Sequence, residues 1–331
     1  MIMNIELFDD FFSMPKEKQK IIFFNQKPYK GLYRTFIPKK IRLQKLQQAE
    51  LTHQEYLAKC WDKVISVYFS GKFPKIEIKA KKQLNTQKVI WQYWGQGINN
   101  KLPDIVTMSF NSVNMHKGDY TVIRLDNGNI HDYLEIPDFI EKKARVFKPA
   151  FFSDILRLAL LNNYGGIWID ATILLTATID NNISEKSFFM FQRDKNADRK
   201  DFWVSHNSKY FNWHDRHFVN VMNSFIVADK QNLVVQHCLN IMLNFWKNSH
   251  SIPHYFLFQI MFDVLIKNYL KNDNCEILDD TLPHLLASEL HNTFDKDKFN
   301  QITDTISIHK LTYTTEVPDN CFFDFLKNVY G

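Results

Sequence analysis

The sequence has few of the residues that mark disordered or disulfide-bonded proteins. Its 331 residues include only 9 Gly and 10 Pro, which argues against long flexible linkers and collagen-like repeats. The cysteines are too scattered for a zinc motif or a disulfide framework. They fit a reducing compartment in which the thiols are buried, and they are Cys60, Cys238, Cys275 and Cys321.

Other absences narrow the class of function. Neither a GxGxxG motif nor a P-loop occurs, so a dinucleotide-binding fold and a P-loop NTPase are not supported. The longest apolar run, in residues 155–161, is far too short to span a membrane. Residues 1–12 carry Glu6, Asp9 and Asp10 where a signal peptide would be apolar. We therefore expect a cytoplasmic protein.

Residues 1–87 differ from the rest of the chain in their abundance of lysine and arginine. Leu57, Trp61, Val64 and Ile65 recur at helical spacing there, which predicts a mostly helical, basic N-terminal appendage before a catalytic domain over residues 88–331. A solvated helical face is the simplest explanation of the basic residues. The alternative is peripheral contact with an anionic membrane surface or with a phosphate-bearing acceptor. The net charge of +5 permits anionic substrates without requiring nucleic acid.

The next part of the chain has the pattern of an α/β domain. Residues 89–91 read as a first strand, residues 102–116 have apolar positions at helical spacing, and residues 120–125 read as a second strand. Strand, helix and strand in this order are typical of a parallel sheet. Further strands are expected at 188–191 and 225–228, and helices near 232–247 and 255–271. Residues 193–217 are expected to form a loop over a site.

Residues 148–176 are the centre of the prediction. They read as a buried helix, a glycine turn and a short strand that ends on Asp170. Asp154 and Arg157 lie on one face of that helix because they are three residues apart, and a buried charge needs a partner or a ligand. Ligands of α/β sheets gather at the carboxyl ends of strands. The alternative is that Asp154 and Arg157 form a structural ion pair. Their occurrence close to Gly165-Gly166 and to the acid at the end of the strand favours a binding site instead.

The run SDILRLALLNNYGGIWIDAT, residues 153–172, resembles the sugar-nucleotide signature of the capsular polysaccharide synthesis glycosyltransferases. These enzymes are close to the glycosyltransferases in which a DxD motif follows an SD-x-x-R helix. The likeness extends in collinear order to WQYWGQG, NIHDYLEIPDFIEKK, PHYFLFQ and IHKLTY, and so covers roughly residues 88–315.

The resemblance implies a GT-A fold, a Rossmann-like α/β domain that binds a nucleotide-diphospho-sugar. The enzyme is expected to transfer a hexose or N-acetylhexosamine from a UDP-sugar, with retention of configuration. The expected acceptor is a glycan or a lipid-linked oligosaccharide in the synthesis of a bacterial surface polysaccharide. The resemblance implies Asp154, Arg157 and Asp170 as catalytic residues. The residues that it implies around the donor are Trp91, Gln92, Trp94, Gly95, Asp154, Arg157, Gly165, Gly166, Asp170 and Thr172.

Related enzymes usually need Mn²⁺ or Mg²⁺, but the DxD position here reads Asp170-Ala171-Thr172. One carboxylate and one hydroxyl are few ligands for a hard cation, which prefers several oxygen atoms. By the resemblance, His309 completes the metal site with Asp170. The alternatives are weak metal dependence, or neutralisation of the departing diphosphate by Lys310 and Arg157.

Two other functions stay open at this point. A sugar-phosphate transferase would use the same nucleotide pocket to pass on a phospho-sugar. A non-catalytic member of the family would bind a glycan or a partner protein, and the missing second acid makes this conceivable. Binding of nucleic acid has little support, because no recognised motif accompanies the basic residues.

Overall fold

A computed structural model describes residues 8, 11–98, 101–314 and 317–331. The chain forms two compact units that alternate along the sequence. One unit contains residues 1–76, 195–221 and 241–273, and the other contains residues 77–194, 222–240 and 274–331. The boundary expected at residue 87 falls inside the second unit, and two later segments join residues 1–76. The division into an appendage and a catalytic domain stays a prediction.

The helices and strands follow one another in an α/β order. The helices are α1 (Lys16–Phe24), α2 (Lys30–Phe36), α3 (Lys39–Phe69), α4 (Asp104–His116), α5 (Asp138–Ala144), α6 (Pro149–Tyr164), α7 (Asn181–Ser184), α8 (Lys200–Asn207), α9 (Leu233–Asn248), α10 (Leu257–Asn268), α11 (Leu285–Glu289), α12 (Lys296–Thr305) and α13 (Phe322–Tyr330). The strands are β1 (Lys79–Ala80), β2 (Val89–Tyr93), β3 (Thr121–Leu125), β4 (Leu134–Glu135), β5 (Gly166–Ile169), β6 (Ile173–Leu175), β7 (Phe188–Gln192), β8 (Val221–Ala228) and β9 (Ile308–Lys310). Short 3₁₀ helices span Ile130–Asp132, Lys271–Asp273 and Leu282–His284.

The first unit is built around the long helix α3, which packs against α10. Its apolar residues at helical spacing are buried, and the Trp61 ring contacts Phe12 and Phe245 at centroid distances of 5.0 and 5.3 Å. Lys18 of α1 pairs with the buried Glu50 of α3 at 2.7 Å. Burial of the aromatic rings supplies the main driving force, and the ion pair fixes where the first helix joins the third.

The second unit contains a five-stranded mixed sheet in the order β3-β2-β5-β8-β7. β2 runs parallel to β3 and β5, with Trp91 opposite Trp168. The β2-α4-β3 segment is thus the expected parallel βαβ unit. β8 runs antiparallel to β5, so the sheet is mixed. An α/β class with a central mixed sheet is therefore confirmed.

Two antiparallel ribbons flank this sheet in the second unit. β1 pairs with β4, and β6 pairs with β9 with Ile173 opposite Lys310. The apolar cores gather side chains from the sheet strands and from the C-terminal helices α11–α13. Within the described residues, no helix combines the length and the apolar character needed to cross a membrane.

The segment expected as a loop over residues 193–217 contains the helix α8, so that part of the prediction is wrong. Its apolar side chains explain the helix, because Trp203 is 2% exposed and its ring lies 4.9 Å from that of Phe211. A buried tryptophan fixes the segment, whereas the abundance of polar residues around it suggested a solvated loop.

Candidate functional site

Helix α6 and strand β5 are joined by two glycines whose backbone conformations exclude most side chains. Gly165 has φ of 72° and Gly166 has φ of 98°. A Cβ atom on Gly166 would lie 2.4 Å from the Val89 carbonyl oxygen, and one on Gly165 would lie 2.7 Å from the Lys230 amide nitrogen. Both glycines therefore allow β5 to start between its neighbours. They lie at its amino end, away from Asp170, so their predicted contact with a donor stays a prediction.

The structure brings together the three residues that the sequence singled out as catalytic. The Arg157 guanidinium lies 3.1 Å from the Asp154 carboxylate and 3.3 Å from the Asp170 carboxylate. It also donates a hydrogen bond of 2.7 Å to the Asn223 carbonyl of β8. The Arg157 and Asp154 side chains are only 5% and 12% exposed. Arg157 thus holds two acids in place, because breaking a buried ion pair is costly.

Burial sets the protonation of Asp154. It raises the pKa of the Asp154 carboxyl to about 6, and the charge of Asp170 adds to the rise, whereas Arg157 and Asn223 oppose it. The Asn223 side-chain amide donates to the Asp154 carboxylate at 2.8 Å. A buried carboxylate with partners on two sides is suited to position its neighbours.

Asp170 is the more accessible of the two acids and has a cation on each side. One carboxylate oxygen accepts a 2.7 Å hydrogen bond from the Trp168 indole and faces Arg157. The other lies 3.8 Å from the Lys310 ammonium, and both side chains are 23% exposed. Lys310 also donates to the Thr172 hydroxyl. Burial lowers the pKa of the Lys310 ammonium, and the nearby Asp170 charge opposes this.

The pairing of β6 with β9 places Lys310 in this cluster. Ile173 follows the turn after Asp170, whose carbonyl accepts a hydrogen bond from the Ile173 amide at 2.9 Å. Lys310 lies opposite Ile173 in the ribbon. Backbone pairing thus brings Lys310 beside Ile173, a residue 137 positions earlier in the chain. The charged cluster, defined as Asp154, Arg157, Asp170 and Lys310, holds two acids and two cations.

His309, which the resemblance pairs with Asp170 at a metal site, makes a different contact in the structure. Neighbours on a strand point to opposite faces, and His309 next to Lys310 is fully buried with its imidazole 2.9 Å from the Thr176 hydroxyl. Burial lowers the pKa of His309 to about 3. Across the part of the chain that the structure describes, no three His, Cys, Asp or Glu side chains group as metal ligands would. Metal binding by Asp170 and His309 stays a prediction, without a ligand set to support it.

A cleft of about 350 Å³ opens at the ends of β2 and β3 in the second unit. Tyr93 and Gly95 line it from β2 and the following loop, Asn127 from the turn after β3, and Pro149 with Phe152 from the first turn of α6. The volume is within the range of small-molecule sites. The next turn of α6 carries Asp154 and Arg157, so the cleft and the charged cluster share one helix.

Hydrogen bonds hold the loops of this cleft. One oxygen of Asp126 accepts the Ile98 amide at 3.1 Å, and the other accepts the Gly128 amide at 2.8 Å. The Tyr93 hydroxyl donates to the Asn127 side-chain oxygen at 2.5 Å. Burial raises the pKa of Tyr93 to about 12, and Asp126 adds to the rise. Tyr93 is therefore a neutral donor at physiological pH.

The residues predicted to border the nucleotide differ in accessibility. Trp91 and Gln92 are fully buried, and the Trp91 indole donates to the Gly165 carbonyl at 2.9 Å. Arg124 donates to the Gln92 side-chain oxygen at 3.0 Å. These contacts explain both as structural residues. Trp94 is only partly buried, and Gly95 lines the cleft, so these two residues are accessible to a nucleotide. Contact with a nucleotide stays a prediction for Trp91, Gln92, Trp94 and Gly95.

Sequence reasoning did not identify Asn223 as part of the site. Its side chain and carbonyl bind Asp154 and Arg157 respectively. The signal was present, because Asn223 and Ser224 interrupt the otherwise apolar run of β8. Tyr93 and Asn127 were also missed, and their types alone do not distinguish them from other loop residues.

Three comparisons with known proteins test the earlier resemblance. A search of the curated proteins finds no significant match. A solved structure titled "PaToxG Glycosyltransferase" is 13% identical, covers 85% of this chain and 97% of its own, and superimposes with a TM-score of 0.36. Such a distant similarity carries no argument about fold or activity. The family model described as "Capsular polysaccharide synthesis protein" matches residues 40–326, most of the 331 residues, and this chain therefore belongs to the capsular polysaccharide synthesis protein family.

Proposed function

We propose that this protein is a glycosyltransferase that moves a sugar from a nucleotide-diphospho-sugar to a glycan acceptor in surface-polysaccharide synthesis. The observation that carries the proposal is the charged cluster, which shares helix α6 with a ligand-sized cleft, in a member of a capsular polysaccharide synthesis family. In this proposal the second unit adopts a GT-A fold. The donor in this proposal is a UDP-hexose or UDP-N-acetylhexosamine, as the resemblance implies.

The accessible pair of Asp170 and Lys310 is assigned to the donor. Glycosyl transfer builds positive charge on the sugar ring and negative charge on the departing diphosphate, and a site must stabilise both. Lys310 is a partly exposed cation whose β-strand position is fixed by backbone pairing. We assign it to the diphosphate, and Asp170 to the sugar. Arg157 is a positioning residue in this scheme, because its side chain is 5% exposed and its guanidinium binds both acids.

In this proposal the acceptor attacks on the same face as the leaving group, which gives the retention that the resemblance implies. The two acids of the charged cluster argue against the other retaining route, a double displacement. A double displacement needs a carboxylate free to attack the anomeric carbon. Asp154 is buried and bound by Arg157 and Asn223. Asp170 is bound by Trp168 and faces two cations. Neither acid of the charged cluster has the freedom of a nucleophile.

Donor binding is the first test. Thermal unfolding of the wild-type chain is measured with a panel of UDP-sugars, with EDTA or with Mn²⁺. A donor present at about 100 times its dissociation constant stabilises the fold by about 2.7 kcal/mol. We expect stabilisation by at least one UDP-sugar in EDTA. If no UDP-sugar of the panel stabilises the protein, either with EDTA or with Mn²⁺, the proposal of a UDP-sugar transferase fails and a non-catalytic member of the family becomes the better explanation.

Turnover then tests the assigned residues. Release of UDP from the stabilising donor is compared for the wild type, Lys310→Met and Lys310→Arg, with Lys296→Met on the exposed start of α12 as the matched control. Loss of a cation that stabilises transition-state charge costs about a hundredfold in kcat, and arginine should restore part of it. The control should keep full activity. Activity that EDTA abolishes and Mn²⁺ restores would instead support the predicted metal site.

The product decides between the two enzyme classes. A glycosyltransferase leaves the full nucleoside diphosphate behind and adds no phosphorus to the acceptor. A sugar-phosphate transferase releases the nucleoside monophosphate and adds one phosphate. Phosphorus analysis of the acceptor product separates them, and NMR of the new anomeric centre shows whether configuration is retained.

A further inference from the structure

Helices α1 and α2 form a surface that the described part of the protein leaves uncovered. Neither helix contains a buried residue. Among residues 19–45, only Ile21, Tyr33, Ile37 and Arg42 are half-buried, and all the others are exposed. Helices of nine and seven residues are too short to be stable in water on helix propensity alone. We call residues 19–45 the N-terminal surface.

The exposed side chains of this surface are unusually apolar. Of the sixteen large hydrophobic residues that are exposed in the described chain, half lie within residues 22–43. Leu32 and Phe36 are 63% and 74% exposed. The whole set is Ile22, Phe23, Phe24, Tyr29, Leu32, Phe36, Ile41 and Leu43. Single exposed hydrophobic residues are common, but a cluster of this kind marks an interaction surface.

Ring contacts join the two helices into one surface. Phe23 and Tyr29 have centroids 4.7 Å apart, and Phe24 stacks on Tyr33 at 5.8 Å. Lys18 holds the first turn of α1 to Glu50 of α3. The helices are therefore attached to the first unit, while their remaining apolar side chains face solvent.

The N-terminal surface also concentrates positive charge. Residues 19–45 contain eight Lys and Arg residues and no Asp or Glu, a net charge of +8. The whole chain has 41 Lys and Arg and 36 Asp and Glu, so the rest has 33 against 36, a net charge of −3. The basic residues are Lys20, Lys27, Lys30, Arg34, Lys39, Lys40, Arg42 and Lys45.

We infer that the N-terminal surface docks on an anionic lipid bilayer. Interfacial helices insert apolar side chains at the boundary of headgroups and acyl chains, while lysine and arginine reach the anionic headgroups. A second copy of the chain is disfavoured because two surfaces of net charge +8 repel each other. Nucleic acid would match the charge but would leave Leu32, Ile41 and Leu43 in water. This inference does not depend on the proposed transferase activity.

The test is co-sedimentation of the full chain with vesicles, without any sugar nucleotide. Vesicles of equal parts phosphatidylcholine and phosphatidylglycerol are compared with vesicles of phosphatidylcholine alone. We expect binding to the anionic vesicles that weakens as salt is raised. Failure here would leave the donor-binding test unaffected, and failure of donor binding would leave this test unaffected.

Two double variants separate the apolar and the basic contributions. Leu32→Ser with Phe36→Ser should lower the partition coefficient by about tenfold or more. Lys39→Gln with Lys40→Gln should lower it by about thirtyfold. The matched controls, Val146→Ser with Ile277→Ser and Lys271→Gln with Lys296→Gln, change exposed residues elsewhere and should bind as the wild type does. Circular dichroism checks that each variant is folded.

Three results would overturn the inference. The first is no binding to anionic vesicles, and the second is binding that both double variants leave unchanged. The third is binding of another occupant without vesicle binding, when the Leu32 and Phe36 substitutions abolish that binding. The other occupant would be a second copy, seen as concentration-dependent self-association in ultracentrifugation, or RNA. Each of these would assign the N-terminal surface to a different occupant or to none.

Discussion

Replacing Arg157 tests whether the charged cluster is held together as the geometry indicates. The Arg157→Gln variant leaves Asp154 and Asp170 without the cation that lies 3.1 and 3.3 Å from them. Removing one partner of a buried ion pair costs about 3–5 kcal/mol, because an uncompensated charge stays buried. We expect a loss of this size in the free energy of unfolding at pH 8. Arg145→Gln, an exposed change, should cost less than about 0.5 kcal/mol.

The loss of stability in Arg157→Gln should depend on pH, and the direction of this dependence follows from the pKa of Asp154. Its pKa in the folded protein is about 6, above the ordinary 3.8. Its contribution to stability is therefore complete below the ordinary pKa and is lost as the pH rises through about 6. Arg157 lowers this pKa, so the variant shifts it further upward. At pH 5 Asp154 is then protonated and uncharged, and about half of the loss at pH 8 should disappear.

Urea unfolding followed by circular dichroism at pH 5 and pH 8 measures both effects. The double variant Asp154→Asn with Arg157→Gln should be more stable than Arg157→Gln alone, since it removes one buried charge, and the coupling energy should exceed about 1 kcal/mol. A loss below about 1 kcal/mol at pH 8, or a loss that is equal at both pH values, would show that the two acids do not depend on Arg157.

Two further predictions concern the backbone and a second buried group. Gly166→Ala should destabilise the protein by about 3 kcal/mol or prevent folding, because its Cβ would lie 2.4 Å from the Val89 carbonyl; Gly31→Ala, with no atom within 4 Å, should cause no loss in a thermal melt. His309→Gln should flatten the pH dependence of the free energy of unfolding below pH 6.5. The pKa of His309 is about 3 in the folded protein and 6.5 ordinarily, so its contribution to stability is complete above pH 6.5 and falls by about 1.4 kcal/mol for each pH unit below it. An unchanged pH profile in the variant would contradict this.

The parts of the fold that could be predicted are those set by local patterns. The spacing of apolar residues and the glycine pair predicted the α6-turn-β5 element, and the strand-helix-strand order predicted the parallel pairing of β2 with β3. Both are confirmed. The mixed character of the sheet was not predicted, because the direction of β8 against β5 depends on how distant segments pack.

The parts of the site that could be predicted from the sequence are also those set by local spacing. Asp154 and Arg157 meet because a helix places residues three apart on one face, and Asp170 follows from its position at a strand end. Asn223 reaches Asp154 from another strand, and local spacing in the sequence does not specify which strands become neighbours. The two units also interleave in sequence, which composition along the chain cannot show.

The opposite orientations of His309 and Lys310 show why register decides chemistry. The resemblance assigned His309 to a metal and left Lys310 as an alternative, and both residues are adjacent in the strand-like run that the sequence shows. A shift of one residue in the pairing of β9 with β6 would exchange the faces on which they lie. With Lys310 opposite Ile173, the ammonium reaches Asp170 and the imidazole reaches Thr176. The register of three residues thus favours a cation of the chain itself beside Asp170, and the EDTA and Lys310 experiments test that choice directly.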